Sequence, residues 1–301
     1  MARISGFYSF FIFLIFFYNA AAQPSYVATI HPLQQIIQEL IGTRAVVADL
    51  LPPGASPHTY EPSPADVRRI ESSPILFLVG INLDDWVKKF PVRRTLEVLN
   101  LIPRDSLIFF EKFLPGEHST GDGSSTSSYA HHKGVDPHFW TDPLLVRSLV
   151  FTLVDTLSKL LPEQRGIIEE NGRRFSGQLS RLDSQIRDQL KHLRGKAFMQ
   201  AHPFFNYYLH RYGLKPGGIV EINPGVDPTA RQIKNLIDGV EHENIVAILT
   251  QLQLPDRAAR LIAESTGIPL IQLDPLGGKP DRQTYAEILL YNTRCIVGAL
   301  P

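Results

Sequence analysis

The chain has 301 residues, which is enough for about two domains of ~150 residues each. Its 44% hydrophobic and 20% charged residues are typical of a globular protein with a packed core, which excludes a mainly disordered chain. The formal net charge is +0 and neither end carries a run of like charges, so no electrostatic feature points to nucleic acid.

The N-terminus has the three parts of a secretory signal peptide. Arg3 supplies a positive charge, residues 7–18 are apolar, and Ala20 to Ala22 are the small residues that precede cleavage. The apolar segment is shorter than the ~20 residues of a membrane span, although an uncleaved anchor stays open as an alternative. The only cysteine is Cys295. We therefore predict that residues 1–22 are removed and that the mature protein is periplasmic, without a lipid anchor or direct membrane insertion.

Residues 23–162 alternate short apolar strands with helical segments, a pattern that predicts an α/β domain with a mainly parallel sheet. Strands are expected at residues 26–30, 45–51 and 75–79, and helices at residues 32–41, from the capping box at 63–66, and at 143–161. Asp84 and Asp85 are adjacent acids, and we interpret them as a solvated loop or a helix start and not as an acid/base pair.

A polar segment at residues 114–134 interrupts this domain and contains His118, His131 and His132. It has few apolar residues, so we expect a flexible loop. The loop is either a metal-collecting segment or a tolerated surface insertion. Three histidines are few for metal collection, which slightly favours the insertion.

Residues 163–194 predict one long linking helix. Apolar residues recur there at three- and four-residue spacing and form one stripe: Phe175, Leu179, Leu182, Ile186, Leu190 and Leu193. A helix of this length spans more than about 40 Å, so it predicts a rigid connection between two lobes, with an ordinary long helix on one domain as the alternative. Strand–helix alternation then restarts at residues 195–301, with strands expected at 197–201, 218–222, 245–250 and 270–273 and helices at 231–238 and 256–266.

Four candidate metal ligands lie at loops or strand ends: His58, His138, His202 and Asp274. His138 lies between Pro137 and Pro143, which predicts a rigid loop. Ligands of open α/β sheets bind beyond the carboxyl ends of strands, so facing lobes would bring three imidazoles and one carboxylate together.

These donors are of the type that zinc favours, and four protein ligands leave no open position for hydrolysis. A zinc-dependent hydrolase using the same histidines stays open as an alternative. Each histidine taken alone is more often structural, and Asp274-Pro275 is also a common start of a turn. His31, His192, His210 and His242 look incidental, with His31 placed at a helix start that could face the cleft.

The sequence has no serine-nucleophile elbow, no phosphate-binding glycine loop and no cysteine placed for nucleophilic catalysis.

Four segments resemble the metal-binding substrate-binding proteins of ABC importers for zinc and manganese. They are residues 53–62 around His58, 136–143 around His138, 201–208 around His202, and 273–277 around Asp274. The resemblance covers nearly the whole mature chain in the family's order.

The resemblance implies two Rossmann-like α/β lobes with parallel sheets, joined by one long rigid backbone helix, with the metal in the cleft between the lobes. It implies His58, His138, His202 and Asp274 as the ligands of Zn²⁺, which would be the transported ion and would be passed to a membrane ABC permease. Manganese members typically carry glutamate at the third position, where this chain has His202, so the resemblance favours the zinc branch and keeps Mn²⁺ as an alternative. We further expect a monomer that is not an enzyme.

Overall fold

The structure is a computed structural model that describes residues 25–81, 83–110, 134–221 and 227–300. The predicted signal peptide at residues 1–22 lies outside the described residues. So does the predicted loop at 114–134 apart from Gly134, and with it His118, His131 and His132.

The first lobe is a four-stranded parallel sheet in the order β2-β1-β3-β4. Its elements are β1 (Ser25–Ala28), α1 (His31–Ile41), β2 (Val46–Asp49), α2 (Pro64–Ser72), β3 (Leu76–Leu78) and β4 (Thr95–Glu97). The capping box predicted at the start of α2 is present, because the Ser63 hydroxyl accepts from the Asp66 amide and the Asp66 carboxylate accepts from the Ser63 amide.

Two long helices follow the first lobe. They are α3 (Pro143–Leu160) and α4 (Arg165–Leu190), with short 3-10 turns at Pro162–Gln164 and Lys191–Leu193. At 1.5 Å per residue, α4 is about 39 Å long. Every residue of the predicted apolar stripe is buried. The helix α4 packs against α3, against α1 of the first lobe and against the C-terminal helix Tyr285–Ala299 of the second, so it is a core helix that both lobes share.

The second lobe repeats the parallel arrangement, with strand order β6-β5-β7-β8. Its strands are β5 (Ala197–Gln200), β6 (Lys215–Ile219), β7 (Ile245–Gln251) and β8 (Leu270–Leu273). Its helices are α5 (Asn206–Tyr212), α6 (Ala230–His242), α7 (Arg257–Thr266) and α8 (Tyr285–Ala299). The predicted fold class of two parallel α/β lobes joined by a long helix is confirmed. The domain boundaries drawn from the sequence stay predictions.

Some elements differ from the sequence prediction. Strand β6 begins three residues before the expected residue 218, because its sequence Lys215-Pro216-Gly217-Gly218 has low β propensity and is held by pairing with β5. Strand β4 and helices α5 and α8 were not predicted.

Of the two interpretations offered for Asp84, the solvated loop is wrong, whereas the helix start agrees with its place just before the 3-10 helix Asp85–Lys89. Its side chain is fully buried and accepts from the backbone amides of Val79 and Gly80 and from the Thr29 hydroxyl. Burial raises the pKa of this carboxyl to about 6, against the lowering effect of these donors. Asp84 therefore fixes the end of β3, and Asp85 begins a short 3-10 helix.

The two lobes share one hydrophobic core. A single cluster of buried residues joins Tyr26 of β1, Leu179 of α4 and Leu249 of β7. Hydrogen bonds also cross between the lobes: the Trp140 indole donates to the Pro275 carbonyl at 3.0 Å, and the Tyr285 hydroxyl donates to the Trp140 carbonyl at 2.7 Å. Over the described ranges, no helix is both long and apolar enough to span a bilayer.

Candidate metal centre

Three of the four predicted ligands meet between the lobes. One ligand atom each from His58, His138 and His202 lies within 4.8 Å of the other two, the one such group found among the described residues. The ring centroids are separated by 5.6 Å for His58–His138, 5.0 Å for His58–His202 and 5.8 Å for His138–His202. Residues that are 64 or more positions apart along the chain therefore surround one point.

His58 is held by the proline-rich loop that follows β2. Its backbone amide donates to the Ser56 hydroxyl at 3.3 Å, and the Trp86 indole donates to the Pro57 carbonyl at 3.1 Å. His58 is half-buried, whereas His138 and His202 are 3% and 1% exposed. His58 is thus the histidine of the group nearest to solvent.

His138 is oriented by Asp136. The Asp136 Oδ1 atom lies 2.7 Å from the His138 Nδ1 atom and accepts the His138 backbone amide at 2.9 Å. An Nδ1–H that donates to a carboxylate leaves Nε2 with its lone pair available for a metal. His138 also begins the 3-10 helix Phe139–Thr141, which continues through the Asp142 cap into α3.

The same carboxylate connects the two lobes. Its Oδ2 atom accepts from the Asn206 amide at 3.0 Å, and the Asn206 Oδ1 atom accepts from the Gln200 amide at 2.7 Å. All of these side chains are almost fully buried, and Gln200 belongs to β5, the strand that ends just before His202. A chain of hydrogen bonds therefore links His138 of the first lobe to the strand that precedes His202 in the second.

The Asp274 carboxylate is not part of the group of three. Its Oδ1 atom accepts from the Gln253 amide at 2.6 Å and from the backbone amides of Leu276 and Gly277 at 3.2 and 3.0 Å. Its Oδ2 atom lies 3.4 Å from the Arg282 Nε atom. Asp274 lies at the end of β8, as predicted, but its carboxylate must shift toward the imidazoles to become a fourth ligand.

His31 is a structural bridge and not an incidental histidine. Its Nδ1 atom lies 2.6 Å from Asp49 Oδ2 and its Nε2 atom 2.8 Å from the Gln283 carbonyl of the second lobe. Burial lowers its pKa, but the hydrogen bond and charge of Asp49 raise it more, so the pKa lies above the ordinary value.

Sequence reasoning did not assign roles to Asp136, Gln200, Asn206 or Arg282. Asp136 could have been found from its place two residues before His138, where an Asp side chain commonly accepts a backbone amide. No local pattern marks the other three: Asn206 reaches Asp136 from 70 positions away, and the contacts of Gln200 and Arg282 depend on the conformation of the loops beside them.

A model of the family described as zinc-uptake complex component A, periplasmic, matches residues 27–299. The chain is 26% identical to the high-affinity zinc uptake system protein ZnuA of Yersinia pestis, over 89% of this chain and 88% of the relative. It is also 26% identical to the zinc-binding lipoprotein AdcA of Streptococcus pneumoniae serotype 4, over 86% of this chain but only 51% of that relative, so it spans about half of the longer protein.

Two solved structures share the fold. A crystal structure of ZnuA superposes with a TM-score of 0.74 at 24% identity and covers 91% of this chain and 98% of its own. A Zn(II)-bound mutant variant of AdcAII from Streptococcus pneumoniae superposes with a TM-score of 0.75 at 23% identity. The superposition covers 93% of this chain and 99% of the AdcAII chain. At these identities the structures support the two-lobed fold alone.

Proposed function

Since the chain belongs to the family of periplasmic zinc-uptake components, we propose that it captures Zn²⁺ outside the cytoplasm and delivers it to the permease of an ABC importer. The observation that carries this proposal is the convergence of three imidazoles from both lobes on one point. Neutral imidazole nitrogens are good donors for zinc, and two of the three rings are almost fully buried, which excludes competing water.

We propose Asp274 as the fourth ligand. Its buried Oδ2 atom accepts no hydrogen bond from any described residue, so it has an unused acceptor site. A carboxylate would complete a tetrahedral site without an open position, which suits capture and release of an ion.

Three histidines alone would also suit a zinc hydrolase. Membership of this family instead makes the chain a metal-binding transport protein and not an enzyme. The relatives named for zinc uptake and zinc binding do not favour the manganese alternative.

Proteins of this family act in the periplasm or outside the cytoplasmic membrane. We propose further that the chain is exported through its N-terminal segment, carries no lipid anchor and acts as a monomer. The sequence supports the absence of a lipid because Cys295 is its only cysteine. The intact mass of the mature protein tests cleavage after Ala22.

Calorimetric titration of the untagged mature protein with Zn²⁺ tests the function. We expect one zinc per chain and a loss of affinity of at least about 100-fold in His138→Ala and in His202→Ala. His210→Ala is the matched control, because His210 is exposed on α5, and His118→Ala should also have little effect. Equal losses in the ligand variants and in His210→Ala would refute the proposed site.

A further inference from the structure

One cation lies directly beside the proposed fourth ligand. The Arg282 Nε atom is 3.4 Å from the Asp274 Oδ2 atom, and the two residues are 8% and 1% exposed. Since Oδ1 already accepts three hydrogen bonds, Oδ2 is the oxygen that a metal would use, and it is also the oxygen that faces Arg282.

The guanidinium is held in this position by its other contacts. Its central carbon lies 3.7 Å from the centroid of the Tyr291 ring, and Nε is 3.2 Å from the Asp281 Oδ1 atom. The backbone is fixed as well, because the Arg282 amide donates to the Lys279 carbonyl and the Arg282 carbonyl accepts from Gly278. Arg282 therefore presents a fixed positive charge to the Asp274 carboxylate.

We propose that Arg282 is a selectivity-determining residue of the metal centre, which competes with the bound ion for Oδ2 of Asp274 and thereby favours Zn²⁺ over Mn²⁺. This inference rests on the proposed function. A carboxylate shared with a guanidinium is a weaker donor to a metal, because part of its negative charge is already neutralised.

The two metals do not depend equally on that oxygen. Zinc keeps three imidazole ligands, which suit it well, whereas manganese binds best to carboxylate and other oxygen donors. Weakening the one carboxylate of the site therefore costs manganese more than zinc. If Arg282 acted only by changing the general electrostatic potential of the site, its removal would affect both divalent ions alike. The ratio of the Zn²⁺ and Mn²⁺ affinities therefore distinguishes this general effect from competition for Oδ2 of Asp274.

The test measures the dissociation constants for Zn²⁺ and Mn²⁺ in the mature chain and in Arg282→Gln. We expect Mn²⁺ binding to tighten about tenfold, the scale of one nearby unit charge at an intermediate dielectric, and Zn²⁺ binding to change much less. Arg282→Met keeps a long apolar side chain beside Tyr291 without the charge, and it gives the same test if the Gln variant does not fold. Arg260→Gln removes an equal charge from the exposed pair with Asp256 on α7 and should leave the ratio unchanged.

The double variant Asp274→Asn/Arg282→Gln identifies the route of the effect. If Arg282 acts through Asp274, the double variant has the same Zn²⁺/Mn²⁺ ratio as Asp274→Asn alone. Equal shifts for both metals, or a ratio change that persists in the Asp274→Asn background, would overturn the inference. A wild-type chain that binds neither metal would instead overturn the proposed function.

Discussion

Asp136 positions His138 with one carboxylate oxygen and reaches Asn206 of the second lobe with the other. In Asp136→Asn, the side-chain amide keeps one acceptor oxygen, but the negative charge that stabilises the Nδ1 proton of His138 is lost. We expect zinc affinity to fall by about 10- to 100-fold, the range found for partners of metal-binding histidines. Competition with a chelator of known affinity measures the change.

The control for this prediction is Asp155→Asn, which alters an exposed carboxylate on α3 that pairs only with Lys159 among the described side chains. It should bind zinc like the wild type. An unchanged affinity in Asp136→Asn would mean that the rigid loop, and not the carboxylate, orients His138.

His31 donates toward two acceptors, the Asp49 carboxylate and the Gln283 carbonyl, and the protonated ring satisfies both. Because its pKa is raised in the folded chain, its contribution to stability is fully present below the unfolded-state pKa of about 6.5 and is lost as pH rises through the folded-state value. The difference in unfolding free energy between wild type and His31→Ala should therefore be larger near pH ~5.5 than near pH ~8.5.

Urea denaturation with chelator present measures this difference, and the other titrating groups cancel because they are common to both proteins. A difference that grows with rising pH would contradict the assignment of a stabilised imidazolium.

At the scale of single elements, α3 and α4 approach closely where Gly172 faces Val154. A Cβ at Gly172 would overlap a Val154 methyl group, and a β-branched valine in a helix has little rotamer freedom to move away. Gly172→Ala should therefore destabilise the protein by about 1–2 kcal/mol, despite the better helix propensity of alanine.

Gly166→Ala is the matched control on the same helix, because nothing lies within 4 Å of its added Cβ. It should be neutral or stabilising by up to about 1 kcal/mol. Thermal unfolding of the two variants compares them, and equal stabilities would contradict close packing of α3 on α4.

Elements with strong local signals could be predicted from the sequence. The apolar stripe of α4, the capping box at Ser63 and the proline-flanked loop at His138 all formed as expected, since each depends on nearby residues. Strand β6 was displaced because pairing with β5 overrides its Pro-Gly-Gly composition. The contact of Asp136 with Asn206 could not be predicted, because the two residues are 70 positions apart and meet only through the tertiary fold. The contact of Asp274 with Arg282 could not be predicted either, because it depends on the conformation of the loop between them.

At the scale of the whole molecule, the shared core and the hydrogen bonds between the lobes oppose a wide hinge motion. The helix α4 packs on both lobes, and Trp140, just before α3, donates to the Pro275 carbonyl and accepts from the Tyr285 hydroxyl of the second lobe. We expect zinc release to depend on local shifts of the Asp274 loop. The radius of gyration from small-angle X-ray scattering should change by less than about 1 Å on zinc binding. A larger contraction would indicate rotation of the lobes.

The central claim is that His58, His138 and His202, from both lobes, bind one zinc ion. X-ray absorption at the zinc edge of the mature chain, loaded with one equivalent of zinc, tests it most directly, because multiple scattering counts imidazoles. We predict three nitrogen ligands at about 2.0–2.1 Å with one oxygen, and two imidazoles in His58→Ala. A spectrum with fewer than three imidazoles in the wild type, or one unaltered in His58→Ala, would contradict this account.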